Sequence, residues 1–330
     1  MPQYSLLSVL GISALVVSAG GALALGALQV AENERTCDAP YQSGSTSDLV
    51  RATRGDAGEP LASFPTPLIA PERQLTVLQE GEGDPARAGG YVDFDVSVFV
   101  GSDEMYLTGS NYDPANPVRR AVDPETADFF GQVMECQKPG AQIVVTTELA
   151  DIFGPIDEDD YLQNTSTVVA VIDVRDTFPG RANGSARLPQ SGMPTITQAP
   201  TGHHGFSFPN APIPAGLQVS VLKMGDGEPI MQGDFVTSHF TGVVWNTRQV
   251  FISSFDQGVP LGLIADDQTT SATGEGVVPG LAEALIGKTV GSQVLVSVPP
   301  ELGYLPQNLP PGVSENSTLV FVFDILGVSN

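Results

Sequence analysis

Positive charge is scarce in this chain. Its 330 residues hold 14 Lys and Arg against 38 Asp and Glu, a formal net charge of −24. Such a surface repels phosphate backbones and anionic headgroups, which argues against nucleic acid or an anionic membrane surface as a partner. Histidine and cysteine are scarcer still, at three and two, and none stands at metal-ligand spacing, so no metal site is expected. No Ser/His/Asp ordering and no Gly-rich phosphate loop suggests nucleophilic or phosphoryl chemistry. His203-His204 reads as a solvated pair in a polar connection, and Asp157-Glu-Asp-Asp160 as an exposed acidic loop rather than a calcium loop.

Charge of either sign is absent from the first 31 residues, and an uncharged run rich in Leu, Val, Ala and Gly extends from Leu6 to Ala31. About 20 apolar residues suffice to span a bilayer, so residues 1–31 suit a membrane anchor. Ala22-Leu-Ala24 also offers the small-x-small site of a cleaved secretory signal. Either reading places the remainder outside the cytoplasm. In an exported chain two cysteines most simply pair, here Cys37 with Cys136; two buried free thiols are the alternative.

What the chain has in quantity is turn-formers, 36 Gly and 27 Pro, which favour short strands over long helices. Residues 32–66 read as an extended polar segment without a sustained period. From about Pro67 short apolar runs alternate with turns as far as Phe178, and the texture resumes after a polar interruption at 179–205, taken as an interdomain linker. The blocks 67–178 and 206–330 match each other in order. Val77-Leu-Gln-Glu-Gly-Glu-Gly83 parallels Val221-Leu-Lys-Met-Gly-Asp-Gly227, and Gly90-Tyr-Val-Asp-Phe parallels Asp234-Phe-Val-Thr-Ser. Pro139-Gly-Ala-Gln-Ile parallels Val290-Gly-Ser-Gln-Val, and Asn164–Asp173 parallels Asn316–Asp324. A duplicated domain follows. Each block has alternating runs around one helical segment, Pro124–Met134 or Pro279–Ile286, which predicts an α+β fold with a twisted antiparallel sheet wrapped on one short helix. An all-β sandwich would leave the helical segments unexplained.

The second block carries the chemistry in a series of short motifs. These are His239-Phe-Thr-Gly242, Phe251-Ile-Ser-Ser254, Pro260-Leu261, Val277-Val278 before the helix, Pro299-Pro-Glu-Leu-Gly-Tyr304, and Thr318-Leu-Val-Phe321. Taken singly, each apolar member reads as core. Taken in this order they resemble the FKBP-type peptidyl-prolyl cis-trans isomerase family. The resemblance implies two FKBP-like domains behind an N-terminal apolar helix, with catalytic positions at Tyr304, Phe251 and Phe321 and substrate-binding positions at Phe240, Leu261, Val277, Val278 and Leu281. It also implies proline-containing polypeptides as substrates and no cofactor, in the service of folding exported proteins; the alternative is a non-catalytic module with the same pocket. Phe240 stands where the family has Tyr, Ile252 where it has Asp, and Leu281 where it has the floor Trp, while Trp245 is off the floor position. In the first block the corresponding residues are Leu107, Phe130, Phe153 and Ala170, an aromatic set without its hydroxyl, which implies a degenerate copy that supports the second.

Overall fold

The computed structural model describes residues 37, 39–55, 58–113, 116–123, 125, 128–158 and 161–329. The apolar segment expected to form a helix at 1–31 lies outside them. Among the described residues no helix is long and apolar enough to cross a membrane. The chain divides into units 1–40 and 41–330, and the architecture below is that of the second.

A short hairpin, β1 (Arg51–Arg54) with β2 (Pro60–Ser63), precedes the first large sheet. That sheet is built from β3 (Gln74–Gln79), β4 (Tyr91–Val100), β5 (Tyr106–Gly109), β6 (Val118–Ala121), β7 (Gln142–Glu148) and β8 (Thr167–Phe178). After β9 (Ser185–Ala186) a second hairpin follows, β10 (Thr195–Gln198) with β11 (His204–Ser207). The second large sheet comprises β12 (Gln218–Met224), β13 (Phe235–Val244), β14 (Val250–Ser253), β15 (Leu261–Ile264), β16 (Gln293–Val298) and β17 (Leu319–Ser329), with β9 added beside β12. Every pairing between these strands is antiparallel.

The duplication is exact in topology. The first sheet runs β3-β7-β8-β4-β5 with β6 also on β4; the second runs β12-β16-β17-β13-β14 with β15 also on β13. Register shifts recur at equivalent places: Val77/Gln79 and Val221/Lys223, Asp93/Phe94 and Thr237/Ser238, Val98/Phe99 and Gly242/Val243. A bulge re-aims every side chain beyond it, so three shared bulges place equivalent residues on equivalent faces.

The central strands do not alternate in burial as the sequence pattern suggested. β4, β13 and β17 are buried at almost every position, and β8 over its first eight residues except Asp173. Successive strand side chains point to opposite faces, so both faces of each sheet are covered. On one face of the first sheet Val168, Ala170 and Ile172 join Phe94, Phe129 and Ile143. On the other, Val169 and Val171 meet Val50, Phe64 and Leu68 from the hairpin region. The second sheet repeats this, with Leu319, Phe321 and Phe323 against the helix residues Leu281 and Leu285, and Val320 and Val322 against Met193, Trp245, Ile196 and Phe206. Each buried Val, Ile or Phe contributes about 1.5–3 kcal/mol, so the covering hairpins are part of the core. The segments 32–66 and 179–205 are therefore more than extended chain and linker: the first contains β1 and β2, and the second contains β9, β10 and the start of β11.

The helical expectation needs one change. The second repeat has α3 (Pro279–Leu285), opened by a proline whose missing N–H costs nothing at a first helical turn. The first repeat has two short helices, α1 (Phe129–Val133) and α2 (Leu149–Phe153). Asp128 caps α1, its carboxylate accepting from the Gly131 N–H at 2.9 Å.

Both hairpins tie down the same carboxylate. Asp173 pairs in register with Gln142 and Asp324 with Gln293; each accepts a hydrogen bond from that glutamine, at 2.9 and 2.8 Å. In the first repeat Arg54 of β1 forms an ion pair with Asp173. In the second, Gln198 of β10 donates to Asp324 at 2.8 Å, and His204 of β11 lies 3.4 Å away. Burial pushes the Asp324 carboxyl up, but His204 and the two amide donors outweigh it and hold it below the ordinary aspartate value. His204 is thus a buried tie, not the solvated residue its polar surroundings suggested, and His203 stacks on Phe255 with ring centroids 4.8 Å apart.

Candidate active site

The site grows from a missing side chain. Gly242 in β13 pairs across to Phe321 in β17 and to Ile252 in β14. A Cβ on Gly242 would lie 2.7–2.8 Å from Ile252 Cγ2, Phe251 Cζ and Phe321 Cε1. Real Cβ atoms do not approach that closely, so the glycine is what lets the two phenyl rings and the isoleucine converge over the strand. Phe251 meets Phe321 edge-on at 5.6 Å and Tyr304 edge-on at 6.3 Å. Behind them Phe321 stacks on Phe323 at 5.9 Å, and Phe323 tilts against Phe240 at 5.3 Å. Edge-to-face rings at 4.5–7 Å are favourable beyond simple burial, by about 0.5–1.5 kcal/mol a pair.

The remaining expected residues join the same cluster. Val278 and Leu281 are buried in it, while Val277, Leu261, Ile252, Phe251 and Tyr304 are half-buried against it. The buried members lie inside the cluster, and the half-buried ones pack at its edge with part of their surface still exposed. All eight residues expected from the sequence therefore sit in or against one apolar cluster.

Two polar groups are poised at this cluster. Burial pushes the Tyr304 phenol above its ordinary value, so the hydroxyl stays protonated and able to donate. Val278 precedes α3, where N–H groups have no partner within the helix, and among the described residues its N–H donates to no backbone carbonyl. The arrangement can hold an apolar group between aromatic walls and offer a hydroxyl and an amide to its carbonyl oxygens. Among the described residues no group of three or more His, Cys, Asp or Glu is placed to hold a metal ion.

The first repeat fills the equivalent space differently. Val98 pairs with Ala170 where Gly242 pairs with Phe321. Val98 and Ala170 are fully buried, Leu107 and Phe130 partly so, and Phe153 is 42 % exposed at the end of α2. Phe130 packs on Phe94 and Phe129 at 5.1 Å each instead of walling a cleft.

Sequence reasoning missed three contributors. Gly242 was visible only as the last letter of a motif. Phe323, two residues beyond Phe321 and so on the same strand face, is signalled by strand period alone. The third is the support under the loop from β14 to β15, where Ser254 Oγ accepts from the Phe240 N–H at 2.9 Å and lies 2.8 Å from His239 Nδ1. Phe255 stacks on the His239 ring at 4.2 Å. Burial is the main reason His239 is held down to about 4, so it is neutral near pH 7.

Comparison with known proteins converges on this half of the chain. The family model for FKBP-type peptidyl-prolyl cis-trans isomerases matches residues 226–326, which include all eight site residues. FK506-binding protein 1A of Aspergillus fumigatus is 34 % identical over 116 residues, 35 % of this chain and 96 % of that protein. The probable FK506-binding protein of Corynebacterium glutamicum is 31 % identical over 121 residues, 37 % of this chain and 94 % of that protein. FkpA of Escherichia coli, an FKBP-type peptidyl-prolyl cis-trans isomerase, is 33 % identical over 113 residues, 34 % of this chain and 38 % of its own length.

Proposed function

The chain belongs to the FKBP-type peptidyl-prolyl cis-trans isomerase family, and from that premise we propose that its isomerase site is the aromatic cluster of the second repeat, with the first repeat non-catalytic. The observation that carries this reading is the convergence of Phe251 and Phe321 over the bare backbone of Gly242, with Tyr304 edge-on to Phe251.

The chemistry asks for no nucleophile. Rotation about a peptide bond meets a barrier of about 18–20 kcal/mol from amide resonance, and prolyl bonds populate both isomers yet interconvert over tens to hundreds of seconds, roughly. The planar amide is strongly dipolar, whereas the twisted one has lost resonance and much of that charge separation. A dry aromatic pocket therefore destabilises the planar ground state more than the twisted transition state, which is differential binding in favour of reaction. Phe251, Phe321, Leu261 and Leu281 supply the apolar enclosure. The Tyr304 hydroxyl and the Val278 N–H hold the carbonyls that flank the rotating bond. No proton moves, and no cofactor enters.

The substrates are proline-containing segments of polypeptides, and the setting is extracytoplasmic. Both cysteines are disulfide-bonded, which suits an oxidising compartment, and the uncharged apolar run at 6–31 is long enough for an anchor or the apolar core of an export signal. In this reading the bond is Cys37–Cys136. A protease-coupled assay of proline-peptide isomerisation on the full chain tests the site. Tyr304→Phe is expected to lower kcat/KM about tenfold, the value of one hydrogen bond in a buried site, without lowering Tm. A wild-type chain that binds proline peptides without accelerating their isomerisation would instead make the pocket a recognition module.

A further inference from the structure

The loop that joins β14 to β15 carries Phe251 and Ile252 on its entry and Leu261 on its exit, so its shape sets the width of the cluster between them. Both ends of this loop are held by side chains of the first repeat.

At the entry, Ser254 opens a 3₁₀ turn and contacts His239 Nδ1 at 2.8 Å; the other ring nitrogen, His239 Nε2, lies 2.8 Å from the Tyr91 hydroxyl. The Tyr91 and His239 rings also meet edge-on at 5.1 Å. A neutral imidazole donates from one nitrogen and accepts at the other, so it relays a fixed hydrogen-bond geometry from Tyr91 to Ser254. At the exit, Arg119 Nη1 donates to the Pro260 carbonyl at 3.1 Å, immediately before Leu261. Arg119 Nη2 also donates to Thr237 Oγ1 at 3.2 Å, on the strand that pairs with β15.

The Arg119 guanidinium is itself immobilised. It forms a two-pronged pair with Asp93, both contacts at 2.6 Å, and lies over the Phe178 ring at 5.0 Å. Asp93 pairs in register with Arg119, and Tyr91 with Phe178, so the four residues form one patch at the end of the first sheet. Phe178 in turn presses on Gly327 of the second repeat, where no side chain could fit. The Asp93 and Arg119 side chains are only 5 % and 16 % exposed. Desolvating an ion pair this far is costly unless its geometry is complete, and the fork of Arg119 completes it partly through the loop carbonyl.

We propose that Arg119 and Tyr91 are positioning residues for isomerisation: the first repeat clamps the loop from both ends and so sets the spacing of Phe251 and Leu261. This rests on the assignment of the site to the second repeat. Neither residue touches the substrate; each acts through Pro260 or His239.

The test uses the full chain with Arg119→Lys and Tyr91→Phe. Lysine keeps the charge facing Asp93, but its three donors sit on one nitrogen, so it cannot reproduce the planar fork that pairs twice with Asp93 while a separate nitrogen reaches the Pro260 carbonyl. Phenylalanine keeps the ring against His239 and loses only the hydroxyl. Amide hydrogen exchange reads the loop directly: each variant is expected to exchange about tenfold faster across residues 254–262, with α3 and β17 unchanged. In the isomerase assay kcat/KM is expected to fall threefold or more, chiefly in kcat, while Tm stays within a degree or two. Wild-type exchange rates in both variants would overturn the clamp, whether or not the chain proves active. Faster exchange with unaltered kcat/KM would overturn the positioning role. An inactive wild type, or Tyr304→Phe with full activity, would instead strike the site assignment, and the exchange experiment would still decide the clamp.

Discussion

The two repeats place opposite choices at one pair of positions. In the second, β13 has no side chain at Gly242 and β17 has a large one at Phe321; in the first, β4 has Val98 and β8 has only Ala170. Both arrangements are buried and both belong to continuous apolar clusters. What differs is where the volume stands. Val98 fills the space above its own strand, so Leu107 packs inward and Phe130 turns onto Phe94. Gly242 leaves that space to Phe251 and Ile252 of β14 and to Phe321 of β17. A fold that repeats the order of its main strands and the same three bulges can thus pack this position in two ways, with the bulk on one strand or on its neighbours.

The largest effect should come from exchanging that choice. Gly242→Val imports the first repeat's residue into the second. Its first carbon would already lie 2.7–2.8 Å from three side chains, so Phe251 and Phe321 must move apart. Isomerase activity should fall at least ~100-fold, with about 1–3 kcal/mol lost to overpacking. Phe321→Ala makes the complementary change; it should remove activity as fully and cost about 3–5 kcal/mol because it leaves a cavity. Assay and thermal melting of the two variants together check this. Retained activity in Gly242→Val would show that the bare strand is not what builds the site.

Much of this was legible in the sequence and some was not, for physical reasons. The repeat could be read because Val77 and Val221 sit at equivalent bulges, and Asp173 and Asp324 at equivalent places in the register, where spacing is fixed. That the eight candidate residues would gather in one cluster could be read because their motifs keep their order along one continuous stretch. The hairpins β1–β2 and β10–β11 could not. Only alternate residues of a four-residue strand pack inward, here Ala52 and Ala62, or Ile196 and Phe206, and the rest is Arg, Thr, Gln and Gly, which reads as solvated connection. The contacts from Tyr91 to His239 and from Arg119 to Pro260 join residues more than 100 positions apart, and nothing local in sequence encodes them.

The hairpin ties give a second, smaller contrast. Asp173 and Asp324 are equivalent, yet Arg54 is 53 % exposed, whereas the side chains of His204 and Asp324 are both fully buried. An exposed ion pair contributes about 0–1 kcal/mol. Removing one partner of a buried polar pair leaves the other uncompensated, at about 2–3 kcal/mol. Arg54→Ala should therefore lower stability by less than about 1 kcal/mol and His204→Ala by about 2–3 kcal/mol, as measured by denaturant unfolding of the full chain. Equal effects would mean that the hairpins bind their sheets by apolar packing alone.

The last contrast is a pH dependence that the second repeat should show and the first should not. Asp95 occupies in β4 the place of His239 in β13, and is paired with Arg175. His239 instead is buried and neutral. Burial pushes it down most, and His204, His203 and Arg119 add to this against the opposing pull of Asp324, to about 4; Tyr91 and Ser254 complete its surroundings. An unfolded histidine titrates near 6.5, roughly. Above that value neither state is protonated and the residue is neutral in its effect. Between about 6.5 and 4 the unfolded chain binds a proton that the folded chain refuses, so stability falls as pH falls, by on the order of 1 kcal/mol per pH unit at the steepest. Asp324, held below its ordinary value, remains ionised through this window. Thermal melting at pH 7, 6 and 5 should show the decline, and His239→Gln, which cannot titrate, should flatten it while lowering Tm at pH 7. The same exchange should loosen the loop at Ser254, since glutamine cannot meet both Tyr91 and Ser254 from a rigid ring. An unchanged pH slope in His239→Gln would mean that the imidazole does not report on the contact between the repeats.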